Sequence, residues 1–267
     1  MNGLTKGRVI RIASPGHAAF ALMMIALGVL GLIKRDFTVV WAPVPKGVPA
    51  REALVYLCAL VSLGSGVGLL VRRSAAIAAG VLLALLVLWL AVWRVRALFL
   101  ASLVEGTWSF GETLVMIAAA WVLFAWFGRG SGRFDLLTGH QAVRIARVLY
   151  GLGLIPFGYA HFAYLKVTAD LVPRWLPWHV GWAYFTGATF IVAGVAIIIG
   201  VFGRLAAALS ALQMALFFLL VWIPLAATRS LSAFQWGEFV ANLALIAAGW
   251  VVADSYRETS WLTPRGR

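Results

Sequence analysis

The stretch AAIAAGVLLALLVLWLAVW occupies positions 75–93 and contains no charged side chain. An α-helix of about 20 such residues crosses the hydrocarbon core of a bilayer, which is about 30 Å thick. The rest of the chain has the same character, because 63% of its 267 residues are hydrophobic and only 12% are charged. The mean hydropathy is +0.95. This composition excludes a soluble globular fold and predicts an integral membrane protein.

Seven further apolar windows lie on either side of this stretch. With it, they predict eight spans near positions 17–33, 53–71, 74–93, 110–127, 143–164, 180–201, 204–225 and 236–253. All eight should be helical, because lipid offers no partner to an unpaired backbone group and the alternating strands of a membrane barrel are absent. The predicted fold class is therefore all-α, a polytopic membrane protein with eight transmembrane helices.

Polar residues between the windows predict how the helices begin and connect. Ser14 followed by Pro15 is typical of an N-cap and a first helical turn. The breaks at Arg72-Arg73-Ser74 and at Gly203-Arg204 are so short that the neighbouring helices should form antiparallel hairpins. Within the second window, Gly64-Ser-Gly-Val-Gly68 has the glycine content of a nucleotide loop, but at this position small residues predict close helix packing.

The chain reads as a four-helix unit that occurs twice. Three matched sets of residues carry this interpretation: Asp36, Trp41 and Pro43 with Asp170, Trp175 and Pro177; Gly66 and Arg73 with Gly194 and Arg204; and Phe110-Gly111-Glu112 with Trp236-Gly237-Glu238. Four helices return the chain to its starting side, so the copies should be parallel. The predicted divisions are residues 1–127 with a basic start, a polar linker 128–141, a second unit 142–254 and a basic tail 255–267.

The distribution of Lys and Arg predicts the orientation in the membrane. Thirteen of them fall on the side of the N-terminus and nine on the other side, which places both termini in the cytoplasm and the chain in the inner (plasma) membrane. The formal net charge of +13 is spread along the chain without a basic stripe, so we expect the lipid bilayer as partner and no nucleic acid. A single cysteine, Cys58, excludes an intramolecular disulfide and a thiolate metal cluster.

Two acidic residues and one histidine are the candidates for chemistry. Glu112 and Glu238 are predicted to open the fourth and eighth helices, where they would be stabilised by the helix dipole or would serve a function. Asn242 lies one helical turn after Glu238, on the same face. His161 is predicted near the outer end of the fifth helix at the depth of Glu238, after a weak point at Pro156. Glu238 and His161 are the candidate catalytic residues, and His161 suits proton exchange near neutral pH; an interfacial histidine with a satisfied hydrogen bond is the alternative.

The loop from Lys166 to His179 combines cations with aromatic residues. It is either an aromatic belt at the membrane interface or a lid that attracts an anion or a lipid headgroup. The predicted substrate-binding residues are Lys166, Arg174, Trp175, Trp178, His179, Trp236 and Asn242. The spacing of His and Asp residues matches no metal signature. We therefore expect no metal, haem or nucleotide.

Four short motifs of the second half occur in a recognisable order. They are Gly158 to His161 (Gly-x-x-His), Trp175 to Pro177 (Trp-x-Pro), Gly200 to Arg204 (Gly-x-x-Gly-Arg) and Gly237-Glu238. This order resembles the DoxX family of bacterial and archaeal membrane proteins, well in the second half and weakly in the first. The family includes the large membrane subunit of thiosulfate:quinone oxidoreductase.

The resemblance implies a quinone-linked redox protein or subunit that acts on a small sulfur anion at the outer face. Lys166 or Arg174 would attract the anion, and Glu238 or His161 would handle protons as quinone is reduced. Two other readings stay open: a bundle that binds or transports lipid or a solute without chemistry, and a structural subunit of a larger membrane complex.

Overall fold

The computed structural model describes residues 12–129, 135–228 and 231–263, and this part of the chain contains helices and no β-strand. We number the eight long helices α1 to α8: Pro15–Lys34, Arg51–Leu70, Ala75–Leu100, Leu103–Gly128, His140–Ala163, His179–Ile199, Gly203–Thr228 and Ala233–Asp254. Two short helices span Asp135–Thr138 and Leu165–Leu171. Several cations used to predict the orientation lie outside the described residues: Lys6, Arg8, Arg11, Arg133, Arg229, Arg265 and Arg267.

The prediction of an all-α polytopic membrane protein is confirmed. Seven helices are long and apolar enough to cross a membrane. Helix α5 and the short helix Leu165–Leu171, bent by 93° to each other, bring the number to eight only if the pair counts as one span. The break lies at Tyr164, after His161. Helix α5 continues through Pro156, which has no N–H to donate to the helix, so the weak point expected before His161 stays a prediction.

Serine caps set three helix starts and correct the predicted positions of the acidic residues. Ser14 accepts a hydrogen bond from the backbone N–H of His17 at 3.1 Å, as predicted for α1. Ser102 and Ser232 cap α4 and α8 in the same way. Glu112 is thus about 14 Å along α4, at 1.5 Å per residue, and Glu238 lies in the second turn of α8. The prediction that both residues open their helices is wrong, so free N–H groups of a first turn do not account for them.

Helices α3 and α7 share an irregularity at matching places. Each contains five residues of π-helix, Leu90–Arg94 in α3 and Phe218–Trp222 in α7. The wider turn re-aims the side chains that follow it, and such segments are frequent at functional sites. Arg94 and Trp222 stand at the same position of the two segments.

The eight helices form a closed ring, and α8 also contacts α4 and, less extensively, α5 across its middle. Each long helix packs against the next one in the chain, and α8 packs against α1. In addition, α4 and α8 cross at the centre. Helix α4 is the most enclosed, with 78% of its apolar window buried against 50% or less in the other six helices that qualify alone. The centre of the molecule is therefore the crossing of α4 and α8.

The two halves of the ring repeat the same glycine contacts. Where α1 crosses α2, Gly28 lies against Ala59 and Leu63; where α5 crosses α6, Gly158 lies against Gly187 and Ile191 in the same way. A second pair of contacts also matches: Gly66 lies against Ala21 and Ile25, and Gly194 against Gly151 and Ile155. The π-helical segments match as well. These correspondences support the repeat predicted from the sequence, and we propose that the two quartets are copies of one unit.

The close approach of α1 to α2 generates the first prediction. A Cβ at position 28 would lie 2.5 Å from the backbone nitrogen of Leu63, whereas a Cβ at position 64 would meet nothing within 4 Å. We expect Gly28→Ala to destabilise the bundle by about 1–3 kcal/mol through overpacking. Gly64→Ala should be neutral or stabilising by up to about 1 kcal/mol. Thermal unfolding of both variants in detergent measures the difference, and equal melting temperatures would contradict the packing described.

Candidate functional site

The loop residues predicted to bind a substrate lie at the surface. Trp175 and Trp178 are 71% and 84% exposed, Arg174 is exposed, and His179 is half-buried at the start of α6. Lys166 forms an ion pair of 2.8 Å with Asp170 one helical turn later. The positive charge of Lys166 is therefore already partnered, while Arg174 forms no ion pair or hydrogen bond within the described part of the chain.

The first loop has the same Asp, Trp and Pro spacing but folds into the bundle. Trp41 is only 1% exposed; its Nε1–H donates to Ser62 Oγ at 3.0 Å, and its carbonyl accepts from Trp89 Nε1 at 2.9 Å. Partial burial raises the pKa of Asp36, but hydrogen bonds from Arg51 and the backbone N–H of Phe37 outweigh burial and lower it below its ordinary value. The first loop, with Trp41, is thus packed inside the bundle, whereas the second loop, with Trp175 and Trp178, lies at the surface.

His161 lies between α5 and α6. Its Nδ1 is 2.7 Å from the carbonyl oxygen of Phe157, so Nδ1 carries the hydrogen and Nε2 is left as an acceptor in the neutral ring. The ring packs against Phe190 at 5.5 Å between centroids. Glu238 and His161 both belong to the described part of the chain, and no hydrogen bond, ion pair or ring contact joins them. The structure therefore does not unite the two residues predicted to be catalytic.

Glu238 instead approaches the other acidic residue. Glu112 of α4 is close enough to Glu238 of α8 for the charges of the two carboxyl groups to interact. Glu112 is 8% exposed, and its Oε1 accepts a hydrogen bond of 2.9 Å from Trp108 Nε1. Glu238 is partly exposed. Two carboxyl groups inside a membrane bundle are costly unless they bind a proton, a cation or a partner.

A buried arginine completes this centre, and the sequence reasoning missed it. Arg94 is 1% exposed; its Nε donates to Thr113 Oγ1 and its Nη2 to the carbonyl oxygen of Val40, both at 3.0 Å. Its charge also interacts with that of Glu112, although no direct hydrogen bond joins the two. The sequence does contain an indication of this role. Arg94 directly follows the apolar run 75–93, and a cation at that place must either reach the membrane interface or be buried with partners.

The second half has aromatic residues at the places of Arg94 and Thr113. There, Trp222 of the π-helical segment packs against Phe239 of α8, with ring centroids 6.5 Å apart. Phe239 follows Glu238 as Thr113 follows Glu112. The two carboxyl groups thus stand at matching places of the predicted repeat, and among the described residues Arg94 accompanies only Glu112.

A small cavity adjoins the two helices. Its volume is about 10 Å³, and it is lined by Val40, Glu112, Met116, Ala241 and Leu245. A water molecule needs about 10–15 Å³ of such volume, so the cavity has room for about one water molecule and none for an organic ring. Beside it, the Oδ1 atom of Asn242 is fully buried without a hydrogen-bond partner, a rare condition for a polar atom.

Aromatic rings connect this centre with the predicted site residues. Trp108 packs on Phe157 at 5.1 Å, Phe157 on Phe190 at 6.0 Å, and Phe190 on His161. Trp236 is about half exposed and packs on Phe239 at 5.2 Å. Among the described residues, no group of three or more His, Cys, Asp or Glu side chains could hold a metal ion.

The fold and this centre together define a class: a multi-pass α-helical membrane protein with one buried and one partly exposed carboxyl group where α4 crosses α8. Comparisons with protein-family models, with curated proteins and with solved structures give no match. The resemblance to the DoxX family therefore rests on the sequence motifs and stays a prediction.

Removing the buried arginine generates the second prediction. We expect Arg94→Met to destabilise the protein by about 3–5 kcal/mol, because it leaves the carboxyl groups without their counter-charge and the Val40 carbonyl without a donor. Arg94→Lys should recover part of this loss. The matched control is Arg96→Met, two residues away and exposed, which should change stability by less than about 0.5 kcal/mol. Unfolding in detergent compares the three, and an equal effect at both positions would contradict the role of Arg94.

Proposed function

We propose that this protein is a DoxX-like integral membrane protein that serves a quinone-linked redox process and exchanges protons at Glu112 and Glu238. The observation that carries the proposal is the meeting of these two carboxyl groups at the crossing of α4 and α8. Ionisable groups that face the interior of a membrane bundle mark proton and substrate pathways by default. The quinone itself comes from the motif resemblance.

A quinone accepts two electrons and two protons when it is reduced, so its reduction needs a group that delivers protons at the membrane. Glu238 is the better placed of the pair, because it is partly exposed whereas Glu112 is enclosed. The enclosed cavity is too small for a quinone ring. The ring would instead approach from the lipid beside Trp236, whose indole is half exposed. Glu112 would then resupply Glu238 from inside the bundle.

The electrons would come from a small sulfur anion at the outer face. Arg174 is the better candidate to attract it, since Lys166 is engaged by Asp170. We also propose that both termini are cytoplasmic and that the chain resides in the inner membrane. The burial of Arg94 supports this orientation, because it removes one cation from the outer side.

A second candidate function has its own support. The two halves meet at a polar centre with a cavity beside it, which is the usual place of a substrate or ion site in transporters built from repeats. In that case the same carboxyl groups would couple a proton or a cation to the movement of a solute.

Replacing the exposed member of the pair tests the redox proposal. We expect protein purified from membranes to retain quinone in solvent extracts and to reduce added quinone with thiosulfate as donor. Glu238→Gln should lower this rate about 100-fold or more, because a proton donor is lost. Glu105→Gln, an exposed carboxyl of the same type in α4, is the control and should keep the full rate. Wild-type protein with neither quinone nor activity would favour the transport proposal.

Arg174 provides a separate test of the anion site. Arg174→Ala should raise the apparent KM for the anion about fivefold, which corresponds to about 1 kcal/mol for an exposed charge, and leave kcat unchanged. Lys46→Ala removes an exposed cation from the first loop and serves as the control. Steady-state kinetics at low salt measures both. A KM that is the same in both variants would make Arg174 an interfacial anchor.

A further inference from the structure

We propose that Glu112, Glu238 and Arg94 form one binding site for a single proton, shared between the two halves of the protein. This inference deepens the proposed function, since it specifies how many protons the centre holds and which groups hold them. It applies equally to a transporter. Three observations support it: the balance of charges, a buried acceptor without a donor, and the asymmetry of the proposed repeat.

The charges balance only when one proton is bound. Two ionised carboxyl groups and one guanidinium leave a net negative charge inside the bundle, where an uncompensated charge is costly. One proton makes the centre neutral, and a second proton would leave the charge of Arg94 alone. The site therefore favours a single proton over none or two.

The other charged groups of the packed helices are exposed or bonded elsewhere. Helix α4 packs against α3, α5 and α8, and α8 packs also against α1, α5 and α7. Positions 18–33 of α1 and 205–228 of α7 contain no charged residue. In α5, His161 is bonded to Phe157, Tyr150 to Ser210 and Arg147 to Ser255. The backbone N–H of Gly16 donates to Asp254 of α8. The remaining titratable groups of α3, α4 and α5 are exposed: Arg96, Glu105, His140, Arg144 and Tyr159.

An unpaired acceptor one turn after Glu238 points to the same ligand. Two of the five N–H groups of Arg94 donate to Thr113 and Val40, and the indole N–H of Trp108 donates to one oxygen of Glu112. The buried Oδ1 of Asn242 has no donor. A bound proton, alone or carried on a water molecule, supplies a hydrogen to this oxygen.

The asymmetry of the repeat limits the site to one proton per chain. Glu112 and Glu238 are equivalent in the two units, yet Trp222 stands where the second unit would need its own arginine. If each unit contained both a carboxylate and an arginine, each unit would be neutral without a bound proton. Because Arg94 is the one arginine described at this centre, the two carboxyl groups would share a single proton where α4 crosses α8.

Infrared spectroscopy of the full chain in bilayers tests this count without any quinone. A protonated carboxyl group has a carbonyl stretching band that an ionised one lacks, and the band shifts in deuterium oxide. At neutral pH, wild-type protein should show one such group. Glu112→Gln and Glu238→Gln should each abolish the band, because Arg94 then neutralises the remaining carboxylate. Glu105→Gln should leave the band unchanged.

Variants of the arginine extend the test. Arg94→Lys preserves the charge and should keep one band, whereas Arg94→Met should show two protonated groups. A band that persists in either single glutamine variant would overturn the shared proton. A band that appears only in sodium-free buffer would also overturn it and would assign the site to a metal cation. If the band behaves as expected while the protein does not reduce quinone with thiosulfate, the result supports the proton site and contradicts the redox role.

Discussion

The structure depends on one constraint: inside a membrane, a polar side chain must find its partners within the protein. Arg94 and Glu112 meet this constraint near the crossing of α4 and α8, and the partly exposed Glu238 lies on α8 at the same crossing. Arg94 has two hydrogen bonds of 3.0 Å and Glu112 has one from Trp108. The same need explains the first loop, whose Val40 carbonyl reaches into the bundle to accept one of these bonds.

The two halves share helix contacts and π-helical segments but differ in the side chains around their carboxyl groups. Glycine contacts and π-helical segments recur in the same register, so the helices of both halves approach each other in the same way. In the first half, a buried loop and an arginine fill the space beside the carboxyl group. In the second half, aromatic rings fill it and the loop stays at the surface. The proposed proton site therefore needs residues from both halves of the chain.

The proposed redox role and the proposed proton site rest on different observations. The proposed proton site rests on the charges of Arg94, Glu112 and Glu238, an unpaired amide oxygen and a cavity of about 10 Å³. The redox role adds a quinone and a sulfur anion, which the motifs of the second half suggest. A proton site at the meeting point of two halves serves either a redox protein or a transporter, because both processes move protons or ions relative to a bilayer.

The sequence alone determined the membrane class, the eight helices and their hairpins, because apolar length and short polar breaks act locally. It did not predict that α4 begins at Leu103, since Glu105 and Thr107 make its first turns look like a loop. Only the tertiary structure brought Glu238 to Glu112 rather than to His161, and buried Trp41 while exposing Trp175. Which helix faces meet, and which loop finds room between them, depends on the closure of the whole ring, and no local pattern in the sequence contains that information.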